Sequence, residues 1–411
     1  MKRFIIILSA LTLLCSFSFA QKIRIKTGIE VLKEQGFKQL EGKRVGLITN
    51  PTGVDNNMKS TIDILHEAKN IRLVSLFAPE HGVRGDAHAG DNVENTIDER
   101  TGLTVYSLHG KTKSPTADML KDIDVLVYDI QDIGCRSFTY ISTMGLAMEA
   151  AAANNVEFMV LDRPNPLGGI KVEGGLVEDK FTSFVSQYPI PYVYGLTCGE
   201  LALLLNGEGM LKNKCKLQVV KMKGWKRKMT YDQTGLQWIP SSPHIPQPIS
   251  SFFYPVSGIL GELGYMSIGV GYTIPFQMFA AEWINADDLS VSLNSLHLPG
   301  LYFRPIHLRP FYSVGQGKQL QGVQVHIMNY EKARLSEIQF YVMQQIATLY
   351  PDKAIFDNAD EKRYRMFDQV CGSDYVRLTF AKNNRFDDIK DFWYKDTEPF
   401  KRLSKKYYLY K

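Results

Sequence analysis

The stretch DVLVYDIQDIGCRSFTYISTMGLAMEAAAANNVEFMVLDRPNP, residues 124–166, decides the fold. It opens on the apolar run Asp124 to Tyr128 and closes on a second, Val156 to Leu161. Between them Phe138 to Ala153, rich in Ala and Met, suits a helix packed on a sheet. Near-continuous apolar strands separated by a helix are the pattern of a parallel sheet covered on both faces. The alternation extends upstream. Arg44 to Thr49 reads as a strand, Met58 to Ala68 has helical periodicity, and Ile71 to Phe77 reads as another strand. Downstream, a helix over Cys198 to Asn206 closes the layer.

The texture changes near Lys221. Pro240, Pro243, Pro246 and Pro248 punctuate one stretch, and Gly258, Gly261, Gly264, Gly269 and Gly271 the next. Short strand-like runs such as Val323 to Ile327 follow, then a helix at Leu335 to Tyr350 and a polar, basic tail. The pattern predicts an α/β protein: a Rossmann-like, mostly parallel sheet domain over 21–220, then a smaller α+β domain over 221–411 that completes a cleft. The likeness to a Rossmann sheet is one of shape. No G-x-G-x-x-G follows the first strand and no P-loop lysine motif occurs, so no nucleotide cofactor is expected.

A chain of 411 residues fits two domains. With 45% hydrophobic and 22% charged residues it is neither disordered nor fibrous, and a net charge of +5 is not the clustered basic footprint of a nucleic-acid binder. Lys2 and Arg3, the apolar run Phe4 to Phe19 and the small-x-small Ser18-Phe19-Ala20 read as a secretory signal peptide over 1–20, cut before Gln21. Cys15 fits a lipoprotein poorly because bulky Leu14 precedes it. No other long apolar run appears, so an exported protein, periplasmic or secreted, without a membrane span is expected. Cys135, Cys198, Cys215 and Cys371 are too scattered for a zinc site, and no metal is expected.

Each predicted strand ends in a polar burst, and in open α/β sheets ligands bind beyond the carboxyl ends of the strands. The bursts are Asn50-Pro51-Thr52-Gly53, Pro79-Glu80-His81-Gly82, Asp129-Ile130-Gln131-Asp132 and Asp162-Arg163-Pro164-Asn165-Pro166. Glu80 is the sharpest candidate. A carboxylic acid at a strand end, partly desolvated, can hold a proton for catalysis; the bland alternative is a helix cap or a partner for Arg84. His81 either orients Glu80 or binds substrate, or is structural. Asp129 and Asp132, flanking Gln131, suit activation of water, a grip on sugar hydroxyls or a metal, though a metal would want more ligands at tight spacing; the bland role for Arg136 is to pair with Asp132. The loop that displays Asp162, Arg163 and Asn165 is stiffened by two prolines and suits a polyol bearing an anionic group. Glu173 is a second acid or a solvated loop residue. No G-x-S-x-G elbow and no catalytic cysteine signature is present, which leaves acid–base chemistry on carboxyl groups, as in glycoside hydrolysis.

Several of these motifs occur in a familiar order: Leu47-Ile48-Thr49-Asn50-Pro51-Thr52-Gly53-Val54-Asp55, Pro79-Glu80-His81-Gly82-Val83-Arg84-Gly85, Tyr128-Asp129-Ile130-Gln131-Asp132-Ile133-Gly134, Tyr140-Ile141-Ser142-Thr143 and Leu161-Asp162-Arg163-Pro164-Asn165-Pro166. In this order they resemble the exo-β-N-acetylmuramidases of bacterial peptidoglycan recycling. The likeness continues through Tyr188-Pro189-Ile190-Pro191, Gly199-Glu200-Leu201, Gly224-Trp225 and Leu298-Pro299-Gly300 to Phe303-Arg304-Pro305. It implies an active site between the two domains and hydrolytic release of N-acetylmuramic acid (MurNAc) from non-reducing ends. The substrates would be peptidoglycan-derived saccharides such as MurNAc-GlcNAc (GlcNAc, N-acetylglucosamine), without an organic cofactor. By matching motif Glu80 would be the catalytic acid, with His81 and Asp129 beside it. Asn50, Arg84, Gln131, Asp132, Arg136, Tyr140, Asp162, Arg163, Asn165 and Glu173 would contact substrate, with Arg163 or Arg84 on the lactyl carboxylate. One segment departs. Where members carry Ser-Glu-Gly-Arg-Gly and then Arg-Pro-Phe-Glu, this chain has Ser267-Ile268-Gly269-Val270-Gly271 and then Ile274-Pro275-Phe276-Gln277. The lost charges imply altered specificity, and they motivate a rival reading as a non-catalytic muropeptide- or glycan-binding protein. A weaker rival is an amidase or esterase acting on cell-wall substituents.

Overall fold

The computed structural model describes residues 24–80, 82–85, 95–110 and 112–411. The signal-peptide expectation, over 1–20, and His81 lie outside them. The N-terminal domain is built on a seven-stranded sheet of order β3-β4-β2-β1-β5-β6-β7. Its strands are β1 (Arg44–Thr49), β2 (Arg72–Ala78), β3 (Thr96–Ile97), β4 (Thr104–Ser107), β5 (Val125–Asp129), β6 (Glu157–Leu161) and β7 (Leu217–Val220). All neighbours pair in parallel except β3 with β4. The central strands are buried along nearly their whole length, which is why they read as continuous apolar runs.

The helix Tyr140–Ala153 lies on this sheet and buries Met144, Ala147, Met148 and Ala151. Its small residues allow close approach: a Cβ at Gly145 would come within 2.3 Å of the Tyr188 ring. The helix Cys198–Gly207 starts in a capping box, in which Thr197 and Glu200 satisfy each other's backbone N–H groups. Parallel strands bring the ends of β1, β2, β5 and β6, with their polar bursts, to one edge of the sheet.

The smaller C-terminal α+β domain holds a three-stranded antiparallel sheet of order β8-β10-β9. Its strands are β8 (Met278–Ala281), β9 (Leu301–Leu308) and β10 (Leu320–Ile327). The helices Ser250–Gly261, Ala286–Asn294 and Ile338–Leu349 accompany it. The polar tail expected after Tyr350 is instead a run of short helices between Ile355 and Ser404. Most of their charges face solvent, the buried Asp368 paired with Arg377 being an exception, while Phe367, Phe380, Phe386 and Trp393 belong to one core cluster with Phe340 and Val342. An amphipathic stripe at helical spacing builds such a core from a sequence of polar average composition.

The chain end returns to the first domain. The Tyr410 ring meets Trp225 edge to face at 5.0 Å, and Leu409 N donates to Glu200 Oε1 at 2.9 Å. Cys135, Cys198, Cys215 and Cys371 are buried and free. Among the described residues, no helix is long and apolar enough to cross a membrane.

Candidate active site

A cavity of about 370 Å³ lies where the two domains meet. That is the size of an ordinary small-ligand pocket. The first domain contributes Glu80 and the segment Ser137 to Tyr140; the second contributes Tyr254, Glu262 and the stretch Met266 to Ile268. Glu80 stands just past the end of β2. Its Oε2 accepts from Thr139 Oγ1 at 3.3 Å, and His109 Nε2 lies 4.0 Å from Oε1. His109 reaches it because β4 pairs with β2 and ends two residues earlier, at Ser107. Tyr140 donates to Ser241 O at 2.5 Å, pinning the helix start to the interdomain segment.

Glu262 follows the helix Ser250–Gly261 and is the second carboxyl group of the cavity. Burial pushes its carboxyl up from the usual range, and Arg363 only partly offsets that. Tyr254 is hydrogen-bonded to Ser137 Oγ at 3.2 Å. Its phenol is held far above its usual range, first by burial, with the nearby Glu262 and Glu80 carboxyls adding to it. Sequence reasoning missed His109, Tyr254 and Glu262. A signal for Glu262 was present: no other Asp, Glu, Lys or Arg occurs between Asp232 and Glu282. The segment singled out for its lost charges does line the cavity, through Ser267, Ile268, Val270 and Phe276.

The other strand ends are not open to this cavity. Asp129 is fully buried; Arg163 Nε donates to its Oδ1 at 2.5 Å, Arg163 Nη2 to Oδ2 at 2.9 Å and Thr61 Oγ1 to Oδ2 at 2.5 Å. Asp162, also fully buried, accepts from Thr197 Oγ1 at 2.8 Å, Gly199 N at 2.8 Å, Arg163 N at 3.1 Å and Tyr410 Oη at 2.5 Å. Asn50 Oδ1 accepts from Thr52 N at 3.0 Å, and Thr52 Oγ1 in turn accepts from Gln131 N at 2.8 Å. Asp132 takes Gly134 N at 2.7 Å and the Tyr194 hydroxyl. Burial raises its carboxyl to about 6 against those donors. Asn165 bridges Leu196 O and Leu167 N, each at 2.9 Å. Gly134, at φ +80°, has to lack a side chain because a Cβ would sit 2.3 Å from Asn165 Oδ1. These residues form a buried polar network beneath the sheet edge.

Three further candidates lie elsewhere. Arg84 grips Asp98 with Nε and Nη2, at 2.9 and 3.0 Å. Arg136 is buried and does not pair with Asp132. It donates to Ser186 Oγ, Gly175 O, Ile190 O and Val370 O, a staple that reaches into the second domain. Glu173 is not solvated; it accepts from Leu335 N at 3.2 Å and from Ser336 N and Oγ at 2.8 Å. Among the described residues no group of three or more His, Cys, Asp or Glu is placed to hold a metal ion.

The buried network makes a prediction about pH. Burial pushes Asp162 up to about 7, although hydrogen bonds from Tyr410, Gly199 and Thr197 oppose it. The unfolded value is about 3.9. Between those values the native protein holds a proton that the unfolded chain has lost, so stability falls as pH rises through that window. Asp162→Asn is expected to flatten this slope. Urea midpoints at pH 4.5 and 7 check it, and an unchanged midpoint difference contradicts the assignment.

Two carboxyl groups on one interdomain cavity, in an α/β frame without a nucleophile elbow, are the equipment of a glycoside hydrolase. Comparison with known proteins gives the kind. The family model "Exo-beta-N-acetylmuramidase NamZ, N-terminal" matches residues 45–249, and its C-terminal counterpart matches 252–410. The chain is 45% identical over 391 residues to the peptidoglycan β-N-acetylmuramidase NamZ of Bacillus subtilis (strain 168), covering 95% of this chain and 92% of that one. A crystal structure of a DUF1343 family protein from Bacteroides fragilis NCTC 9343 superposes with a TM-score of 0.92 at 72% identity, over 95% of this chain and 100% of the other. A second such protein from the same organism gives 0.74 at 30% identity, over 94% and 99%. The chain belongs to the exo-β-N-acetylmuramidase family and is a muramidase-type glycoside hydrolase.

Proposed function

We propose that this enzyme releases N-acetylmuramic acid from the non-reducing ends of peptidoglycan fragments such as MurNAc-GlcNAc, and that the interdomain cavity is where it does so. The observation that carries this reading is Glu80 on the cavity wall, beside Thr139 and His109, with Glu262 on the part contributed by the second domain. Glu80 donates its proton to the glycosidic oxygen as the C1–O bond breaks; water then supplies the hydroxyl that ends on C1 and the proton that restores the acid. Tyr140 and Thr139 shape the wall next to it. His81, the residue after Glu80, belongs to the same proposal as a partner of that acid. Asp129, Arg163, Asp162, Asn165, Gln131, Asp132 and Asn50 then act on substrate through the loops they hold in place.

The rest of the reading belongs to the same proposal. Residues 21–220 form a Rossmann-like domain that carries Glu80, and 221–411 the domain that closes the cleft. Residues 1–20 act as a signal peptide, so that the mature enzyme works outside the cytoplasm in cell-wall turnover, with saccharides rather than nucleic acid as partners.

The test is a digest. Purified protein incubated with MurNAc-GlcNAc and with peptide-bearing muropeptides is expected to release the terminal muramoyl sugar, read by mass spectrometry. Cleavage at an amide or ester instead, or binding without release, overturns the proposal.

A further inference from the structure

The terminal muramic acid carries two side groups with a methyl. The 2-acetamido group sets an N–H near its methyl, and the lactyl group sets a carboxylate there. The second domain presents a surface that fits the first and repels the second. Tyr254, Gly258, Gly261 and Glu262 line the cavity. They stand at i, i+4, i+7 and i+8, one stripe along the helix Ser250–Gly261 and the residue that follows it.

The two glycines leave the middle of that stripe without side chains. Ile268 seats directly on it, since a Cβ at Gly261 would come within 2.4 Å of Ile268 Cδ1. Ile268 and Met266 line the same cavity, so the stripe ends in a carboxyl group beside an apolar wall. Arg363 Nη1 donates to the main-chain oxygen of Glu262 at 3.1 Å, and among the described residues no hydrogen bond or ion pair engages the Glu262 carboxyl group. At the other end of the stripe Tyr254 is hydrogen-bonded to Ser137 of the first domain, and the charges of both Glu262 and Glu80 reach its phenol. The two carboxyl groups thus face a common volume.

We propose that Glu262 accepts the N–H of the 2-acetamido group, with the acetyl methyl against Ile268, and that the substrate itself assists bond cleavage. The inference rests on reading the interdomain cavity as the active site. Held in this way, the acetamido carbonyl oxygen attacks C1 while the C1–O bond to the leaving sugar breaks, and the leaving oxygen takes the proton of Glu80. The N–H proton passes to Glu262, and the sugar is left as a neutral oxazoline. Water then adds to C1 and opens that ring, giving its proton to Glu80, and Glu262 returns its proton to nitrogen. One water is consumed and both carboxyl groups are restored. No enzyme carboxylate bonds to C1, as in the substrate-assisted exceptions to the two-carboxylate scheme. Burial, which raises the Glu262 carboxyl, makes its anion the stronger base for that proton. C1 is inverted twice, so the β anomer is formed first.

The experiment uses aryl β-muramides whose N-acyl group is acetyl, fluoroacetyl, difluoroacetyl or trifluoroacetyl. Fluorine draws electrons from the carbonyl oxygen, so kcat is expected to fall at each step of the series. A muramic thiazoline, with sulfur in place of the oxazoline oxygen, is expected to inhibit at least ~10²-fold more tightly than MurNAc, as an analogue of the reacting state. Glu262→Gln is expected to lower kcat by ~10²–10⁴-fold and to lose the tight inhibition. A rate indifferent to fluorination, or an α anomer seen first by proton NMR, overturns the inference. Glu80→Gln on MurNAc-GlcNAc separates the two layers. If it is inactive and either of those results is found, the role of Glu262 falls and the cavity stands. If only Glu262→Gln is impaired, Glu262 is the acid and not the partner of the acetamido group. If both variants keep the wild-type rate, the cavity falls as the active site and the inference falls with it.

Discussion

Glu80→Gln lowers kcat on MurNAc-GlcNAc by at least ~10²–10⁴-fold, the usual worth of a general acid, while the protein still folds. A sugar alkoxide is a poor leaving group, so a proton has to reach the glycosidic oxygen as the bond to C1 breaks. Gln has the shape of Glu and still accepts from Thr139, but it has no proton to give. Circular dichroism and the urea midpoint are expected to match wild type, since Glu80 is part-exposed, whereas Glu173 is buried and bonded to Leu335 and Ser336. Aryl glycosides, whose leaving groups need less protonation, lose less in the bond-breaking step. Glu262→Gln is the necessary companion, because burial favours the protonated form of that carboxyl. Two carboxyl groups whose surroundings differ are how such sites divide the roles of acid and base. If Glu80→Gln cleaves the disaccharide at close to the wild-type rate and Glu262→Gln does not, the acid is Glu262.

The strands most legible from sequence were those buried on both faces. β1 has the expected bounds, and β2 and β5 are shifted by one residue. β4 and β7 were missed because each has only four residues, too short for a run to stand out. The helices after Tyr350 were misread because average polarity hides a one-sided apolar stripe. For the site, the sequence placed the polar bursts at one sheet edge, but it could not show which of them is roofed. Roofing comes from distant chain. Tyr410 seals Asp162 from 248 positions away, and Val54 and Tyr231 line the small recess over Arg163. The end of β2 opens on the cleft, where Glu80 lines the cavity. Glu262 comes from the second domain, and its role depends on a packing of domains that no local motif encodes.

Asp129→Ala is expected to destabilise the fold by ~3–5 kcal/mol, the cost of leaving one member of a buried ion pair without its partner. Arg163 is only 5% exposed and Asp129 not at all, so the stranded guanidinium has little water to turn to. Thr61 loses its acceptor as well. Out of a total stability of about 5–15 kcal/mol this is a large fraction, and urea unfolding at pH 7 reads it directly. A double variant, Asp129→Leu with Arg163→Met, separates structure from catalysis. It removes both charges and fills much of their volume, so it is expected to regain most of the lost stability, because well-packed apolar replacements of buried pairs are often close to neutral. Some deficit remains, since Val54 O loses its donor from Arg163 Nη2. If Asp129 is structural, activity per folded molecule follows stability and returns in the double variant. The opposite result, an Asp129→Ala protein within ~1 kcal/mol of wild type yet catalytically dead, means that Asp129 leaves Arg163 during turnover and acts on substrate itself, as its place at a strand end first suggested.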